Sequence, residues 1–367
     1  MLRLLALAVV VLLVPVAPAP AADPGRWRLT GRSPIPLEYF QGMASDPDRH
    51  VFFDGVFAGL YRTDDRLRER ARRETAIPPE LTATRGYNHI GDPTWDAREG
   101  GRILLPLECY TPGAPGGSNT CRRGAIAVAD PITLRWRYHV ELDPAEISKA
   151  MWAEVSPDGR LVWTSSGGDL LAYRTAAISR AAEGAPPLRA VARISGAVPP
   201  SGISGAAFYG DRLLVAGRAT AGFEVTSIDL ATGDRRLEIQ RPAELEPEGL
   251  DVVDALGGVL HWIVRPASGQ GNVLLHYVPT APRGRLRLSA RPARLTAGRR
   301  TRVRFHATHT GRPVPGVVVR AAGRWARTGA AGTARMTLQI RPTGRVRVIA
   351  TRADLRAAVV TVRAAGR

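Results

Sequence analysis

Between Met151 and Tyr173 the chain places three short apolar runs, Trp152–Val155, Leu161–Thr164 and Leu170–Tyr173. Pro157-Asp158-Gly159 separates the first two and Gly167-Gly168 the second two. Runs this short, rich in β-branched and aromatic residues and divided by tight-turn chemistry, predict a three-stranded antiparallel meander. Related triplets occupy Tyr39–Thr63, Asn88–Ala129, Ile203–Asp229 and Glu246–Val278. Each has a small-residue first strand, a hydrophobic middle strand and a third strand ending near Tyr or Asp. With Gln41, Ile90, Trp152, Ser204 and Glu248 as equivalent points, the spacings are 49, 62, 52 and 44 residues, the range of propeller blades. Radial packing of such meanders buries both faces of each. The pattern predicts five blades, or six if Leu188–Ile194 and its surroundings hold another. Arg26–Thr30 reads as a strand with no adjacent partner, suited to complete the last blade and close the ring.

After a linker at Thr280–Gly284 the pattern changes. Leu286, Leu288 and Ala290 alternate with Arg285, Arg287 and Ser289, and Val303, Phe305 and Ala307 alternate with Arg302, Arg304 and His306. Val346 and Val348 alternate with Arg345 and Arg347. Period-two patterning of this kind gives each strand one buried and one cationic face. Turns fall at Ala297-Gly298, Thr310-Gly311, Ala331-Gly332 and Thr343-Gly344, so about six or seven short strands predict a β-sandwich. The fold class expected is all-β, with a propeller over 26–280 and a sandwich over 283–367.

Composition sharpens this. The 38 Gly and 29 Pro among 367 residues suit many turns. The formal charge of +18 is unevenly placed: from Ala281 onward 21 Arg face one acid, Asp354, giving +20 and leaving −2 for the first 280 residues. Lys149 is the sole lysine, so coding bias contributes to the arginine content. At the N-terminus Arg3, the apolar run Leu4–Val14 and Ala19-Pro20-Ala21 read as a secretory signal peptide over 1–21, an uncleaved anchor being the alternative. The run is too short to span a bilayer, and no later segment is suited to do so. Cys109 and Cys121 flank a Gly/Pro-rich loop, and in an exported chain they are expected to pair.

Gln41-Gly-Met-Ala44, Ser156-Pro-Asp-Gly159 and Pro247-Glu-Gly-Leu-Asp251 carry a resemblance, in repeat style, to secreted bacterial β-propellers of the YncE/SMP-30-like group over residues 38–280. The run Gly311–Val319, with Gly332-Thr-Ala334 later, resembles bacterial Ig-like domains of secreted and surface proteins. The first resemblance implies a metal site of lactonase type in some members, with Asn88, Glu154 and Asp251 the nearest residues here.

Propellers bind ligands at the channel mouth, where the first strands begin. That region would gather Gln41, Asn88, His89, Asp92, Glu154, Glu248 and Asp251. His89, Asp92, Glu154 and Glu248 are the candidates for a divalent cation such as calcium. The competing reading has the same groups cap strands and hydrogen-bond between blades. Gly202-Ile-Ser-Gly-Ala206 lacks the spacing of a nucleophile elbow, and no phosphate loop, dinucleotide fingerprint or zinc motif is present. On the tail, Arg285, Arg287, Arg302 and Arg304 are expected on adjacent strands, where like charges repel unless an anion offsets them. An anionic envelope polymer or polysaccharide is the expected partner, with a solvated face as the alternative and a protein partner left open. Specific nucleic-acid binding is not expected, because the face lacks interleaved aromatics, Trp325 excepted. The sequence therefore points to an exported binding or scaffolding protein, with a metal-dependent hydrolase of lactonase or phosphoesterase type as the alternative.

Overall fold

The computed structural model describes residues 26–55, 58–111, 120–220, 222–242, 246–266, 271–341 and 344–365. The expected signal peptide and most of the loop between the cysteines lie outside them.

Five antiparallel sheets form the first unit. Blade 1 contains β2 (Gly42–Ser45), β3 (Val51–Asp54), β4 (Leu60–Thr63) and β5 (Glu69–Arg73). A short helix, α1 (Pro79–Arg85), leads into blade 2. There the inner strand is broken into β6 (His89–Ile90) and β7 (Thr94–Asp96), both paired with β8 (Arg102–Glu108), followed by β9 (Ala125–Ala129) and β10 (Trp136–Glu141). Blade 3 is β11 (Glu154–Val155), β12 (Leu161–Ser166), β13 (Asp169–Arg174) and β14 (Ala192–Ile194). Blade 4 is β15 (Gly205–Tyr209), β16 (Arg212–Ala219), β17 (Gly222–Asp229) and β18 (Arg235–Arg241). Blade 5 is β19 (Glu246–Ala255), β20 (Gly258–Arg265) and β21 (Asn272–Pro279), completed by β1 (Trp27–Ile35) from the start of the chain.

Among the described residues the blades number five. Ala192–Ile194 is the outer strand of blade 3, so the segment that left room for a sixth blade belongs to an existing one. The orphan strand does close the ring, pairing antiparallel with β21 from Trp27↔Pro279 to Ile35↔Asn272. Closure also shows in the packing. Five separate apolar clusters fill the five gaps between neighbouring blades, represented by Phe52/Ile103, Leu104/Val162, Trp163/Leu213, Phe223/Trp262 and Ile263/Phe53. No blade has an uncovered face, so each strand pair stabilises two gaps at once. Cys109 and Cys121 are disulfide-bonded, with a sequence separation of 12. Among the described residues no helix is long and apolar enough to cross a membrane.

The second unit is a two-sheet β-sandwich. One sheet holds β22 (Gly284–Arg285), β24 (Arg294–Thr296), β27 (Val318–Ala321), β28 (Arg324–Arg327), β30 (Arg345–Arg352) and β31 (Leu355–Ala365). The other holds β23 (Arg287–Arg291), β25 (Arg300–His309), β26 (Arg312–Pro313) and β29 (Thr333–Gln339). Their inner faces share one core around Phe305, Met336, Val319 and Val348. The sequence pattern put Arg285 and Arg287 on one strand, but the chain changes sheets at Leu286. Arg285 therefore pairs in parallel with Arg356 on β31, while Arg287 lies opposite Thr308 on β25. Buried Leu286 explains the break, because its side chain joins the core between the two sheets.

Trp27 is the anchor of the closing strand: it is buried, and its ring lies edge-on to Tyr209 with centroids 4.9 Å apart. Trp27→Ala should lower stability by about 3–5 kcal/mol through loss of buried area and an unfilled cavity. Urea unfolding monitored by circular dichroism checks this, and a loss below about 1 kcal/mol would mean that the ring does not depend on its closing strand.

Candidate functional site

The inner strands of neighbouring blades run in the same direction, as the parallel bridge Asp92↔Trp152 shows. Residues early in each inner strand therefore approach one mouth of the channel and later residues the other. Asp92 lies between. Its Oδ1 accepts the Met43 amide of blade 1 at 2.9 Å, and its Oδ2 accepts the Ala206 amide of blade 4 at 2.8 Å and the Leu250 amide of blade 5 at 3.4 Å. Its main chain joins blade 3: the Asp92 amide donates to Met151 O, and the Ala153 amide donates to Asp92 O. Asp92 has no exposed surface, and burial pushes its carboxyl well above the ordinary value against the opposing pull of the three amides.

The close approach explains the small residues of the inner strands. A Cβ at Gly249 would stand 2.5 Å from the Gly42 Cα and 2.7 Å from Asp92 Oδ1, and one at Gly42 would stand 2.4 Å from Pro93 Cδ. The centre of the ring is thus filled by backbone and the carboxyls of Asp92 and Asp54, with a mouth on either side.

At the first mouth the Gln41 side-chain amide donates to Glu248 Oε2 at 2.9 Å, while its Oε1 lies 3.1 Å from His89 Nε2. His89 Nδ1 lies 3.5 Å from Glu108 Oε1, and Lys149 Nζ lies 3.7 Å from Glu108 Oε2. Burial, with Glu246 beside it, pushes Glu248 well above the usual carboxylate range. Asp54 is fully buried here, and burial and the neighbouring Asp92 raise it against the pull of the Gly42 amide. Asn88 turns away from the mouth: its amide group donates to Tyr110 O at 2.8 Å and its Oδ1 accepts the Tyr110 amide at 2.7 Å, fixing the start of the disulfide loop.

At the second mouth Glu154 Oε2 accepts the Thr94 hydroxyl at 2.6 Å and Oε1 accepts the Phe208 amide at 3.2 Å. Burial is the main cause that lifts Glu154 to about 8, with Asp251 adding to the rise. Asp251 Oδ1 accepts the Val252 amide at 2.8 Å, and burial raises this carboxyl to about 6 against the pull of the Ser45 hydroxyl. The seven residues expected at one mouth are therefore divided. Gln41, His89 and Glu248 meet at the first, Glu154 and Asp251 at the second, Asp92 seals the channel between them, and Asn88 serves the loop. Among the described residues no group of three or more His, Cys, Asp or Glu is arranged to hold a metal ion.

The sandwich sits against the second mouth, which the sequence did not foretell. Trp325 packs edge-on to Trp95 of blade 2 at 5.2 Å, and the Arg327 guanidinium lies 5.8 Å from the Trp95 ring centre. Arg320–Asp48 at 3.1 Å, Arg352–Asp211 at 3.5 Å and Arg283–Asp254 at 2.6 Å tie the two units together. A cavity of about 500 Å3 remains between them, with Glu154 and Asp251 on the propeller wall and Arg327 on the sandwich wall. The one available hint was Trp325, an aromatic outside the core pattern of a basic strand.

On the far sheet of the sandwich, Arg291, Arg304 and Arg335 stand directly opposite one another across β23, β25 and β29, all exposed. Arg287, Arg300 and Arg302 extend the same face. No carboxylate lies on it, since Asp354 is the only acid after Ala281 and pairs with Arg352. Arg302 and Arg304 thus occupy the expected cationic face with Arg287, and Arg285 is on the other sheet.

No protein-family model matches the chain, and no curated protein matches it. Among solved structures it is similar to a PQQ-bound aldose sugar dehydrogenase from Streptomyces coelicolor, at 11% identity over 70% of this chain and 100% of that one, TM-score 0.35. A putative glucose dehydrogenase from Thermus thermophilus gives 13% identity over 67% and 99%, TM-score 0.43. A putative 6-phosphogluconolactonase from Bacteroides uniformis gives 14% over 61% and 63%, TM-score 0.32. At these scores the propeller assignment rests on this chain's own pairings and inter-blade clusters.

Two outcomes follow for the channel. Asp92→Ala leaves three buried amides unpartnered at about 1–3 kcal/mol each, so a loss of at least about 3 kcal/mol is expected in urea unfolding. A loss within about 0.5 kcal/mol would remove Asp92 from its central position. For Glu154 the folded state holds its proton to higher pH than the unfolded chain, so its ionisation on raising the pH opposes folding. The melting temperature of the native protein relative to Glu154→Gln should fall as pH rises from about 5 to about 8. A pH-independent difference would show that Glu154 titrates normally.

Proposed function

We propose that this chain is an exported binding protein: a five-bladed propeller carries the ligand site, and a cationic, Ig-like sandwich attaches it to an anionic envelope polymer or polysaccharide. The observation that carries the reading is the row Arg291–Arg304–Arg335, three guanidinium groups opposed across adjacent strands on a face without one carboxylate. Like charges directly opposed on a sheet are destabilising, and a polymer with regularly spaced anions would turn that repulsion into attraction. The hydrophobic N-terminal run and the Cys109–Cys121 disulfide support export. The channel-mouth acids favour binding over metal-dependent hydrolysis, because the expected ligands are divided between two mouths.

The test uses the full chain on immobilised polygalacturonate. Retention should weaken steeply with salt, and the triple change Arg291→Gln, Arg304→Gln, Arg335→Gln should reduce affinity at least about tenfold at low ionic strength. Equal retention of the triple variant and the native protein would overturn the attachment.

A further inference from the structure

The cavity between propeller and sandwich is lined by two carboxyls and a guanidinium that no close ion pair joins. Around it, most charged side chains are paired: Arg320 with Asp48, Arg352 with Asp354, Arg283 with Asp254, Arg49 with Asp65 and Asp46 with His50. Three are not. Glu154 accepts the Thr94 hydroxyl and the Phe208 amide, Asp251 has the Ser45 hydroxyl and the Val252 amide as donors, and Arg327 feels the charges of Glu154 and Asp96 without a close ion pair to either. None of the three is in an ion pair within 4 Å among the described residues. A buried charge without a counter-charge is costly unless something else supplies one.

The arrangement has a direction. The carboxyls belong to the propeller wall and the guanidinium to the sandwich wall, with the cavity between them. Its volume of about 500 Å3 falls within the ordinary range for small-molecule sites. From this we infer that the cavity binds a small zwitterion, whose ammonium group faces Glu154 and Asp251 and whose carboxylate faces Arg327. Burial raises the carboxyls of Glu154 and Asp251 and lowers Arg327, so ions of opposite charge brought to each wall would favour their charged forms. An ammonium group restores the ionised carboxylates, and a carboxylate restores the guanidinium. A ligand with one charge compensates one wall and leaves the other as it was, so the site discriminates by requiring both.

The assignment deepens the binding-protein reading and rests on it, but it uses no part of the arginine row. The experiment is calorimetric titration of the full chain with glycine, β-alanine, 4-aminobutanoate and 6-aminohexanoate, which separate the two charges by increasing distances. Butylamine, butanoate and glucose serve as probes with one charge or none. At least one amino acid should bind at least about tenfold more tightly than either singly charged probe. Glu154→Gln and Arg327→Gln should each weaken it at least about tenfold, while Arg345→Gln, exposed on β30, leaves it unchanged. Because Arg327 also packs on Trp95, its variant is read alongside Glu154→Gln, which lies wholly within the propeller. Equal binding of butylamine, or preferential binding of glucose, overturns the zwitterion and leaves the binding-protein reading standing. No binding of any probe at about 10 mM overturns the site itself, and polymer retention remains a separate readout.

Discussion

The Asp92 carboxylate is the constraint on which the propeller turns. Buried carboxylates require donors in place of water, and Asp92 finds three backbone amides, each from a different blade. Its own main chain is tied to a fourth, and it belongs to the remaining one. One residue thus contacts all five blades at the point where they come closest. Glycine at 42 and 249 allows that approach, since any side chain would collide with the opposite backbone or with the carboxylate. A ring of five blades therefore has a filled centre, and its chemistry is displaced to the two ends.

The ends differ in what they meet. At the first, Gln41 links His89 to Glu248, and Glu108 lies between His89 and Lys149. At the second, the sandwich closes over Glu154 and Asp251 and brings Arg327 to the opposite wall. Two arginines, Arg102 fully buried and Arg327 half-buried, make the contrast plain. Arg102, between blades 2 and 3, donates to Asp96, Glu99, Tyr138, Ile178 and Thr175, and every interaction is internal. Arg327 has an aromatic ring beneath it and a buried Nε with no acceptor. The first arrangement is complete as architecture, and the second has capacity left for a ligand.

Much of the fold was legible in the chain because repeat spacing and period-two alternation are local. The unit at Trp152–Tyr173 became blade 3 with its turns where Pro157-Asp158-Gly159 and Gly167-Gly168 put them, and the strand at Trp27 closed the ring. The cationic tail became a sandwich with its arginines outward for the same reason. Which arginines face one another was not local: a change of sheet at Leu286 separated Arg285 from Arg287 and brought Arg291 and Arg335 beside Arg304.

The sequence by itself determined the strands, the five repeats, the uneven charge and the residues available to the channel, since each follows from side-chain period or composition. Only the tertiary structure decided that Asp92 seals the channel, that Glu154 and Glu248 serve different mouths, and that Arg327 reaches across from the sandwich. Those outcomes depend on how close five blades approach and on where a separate sheet docks, and distances between residues far apart in sequence leave no periodic trace along the chain.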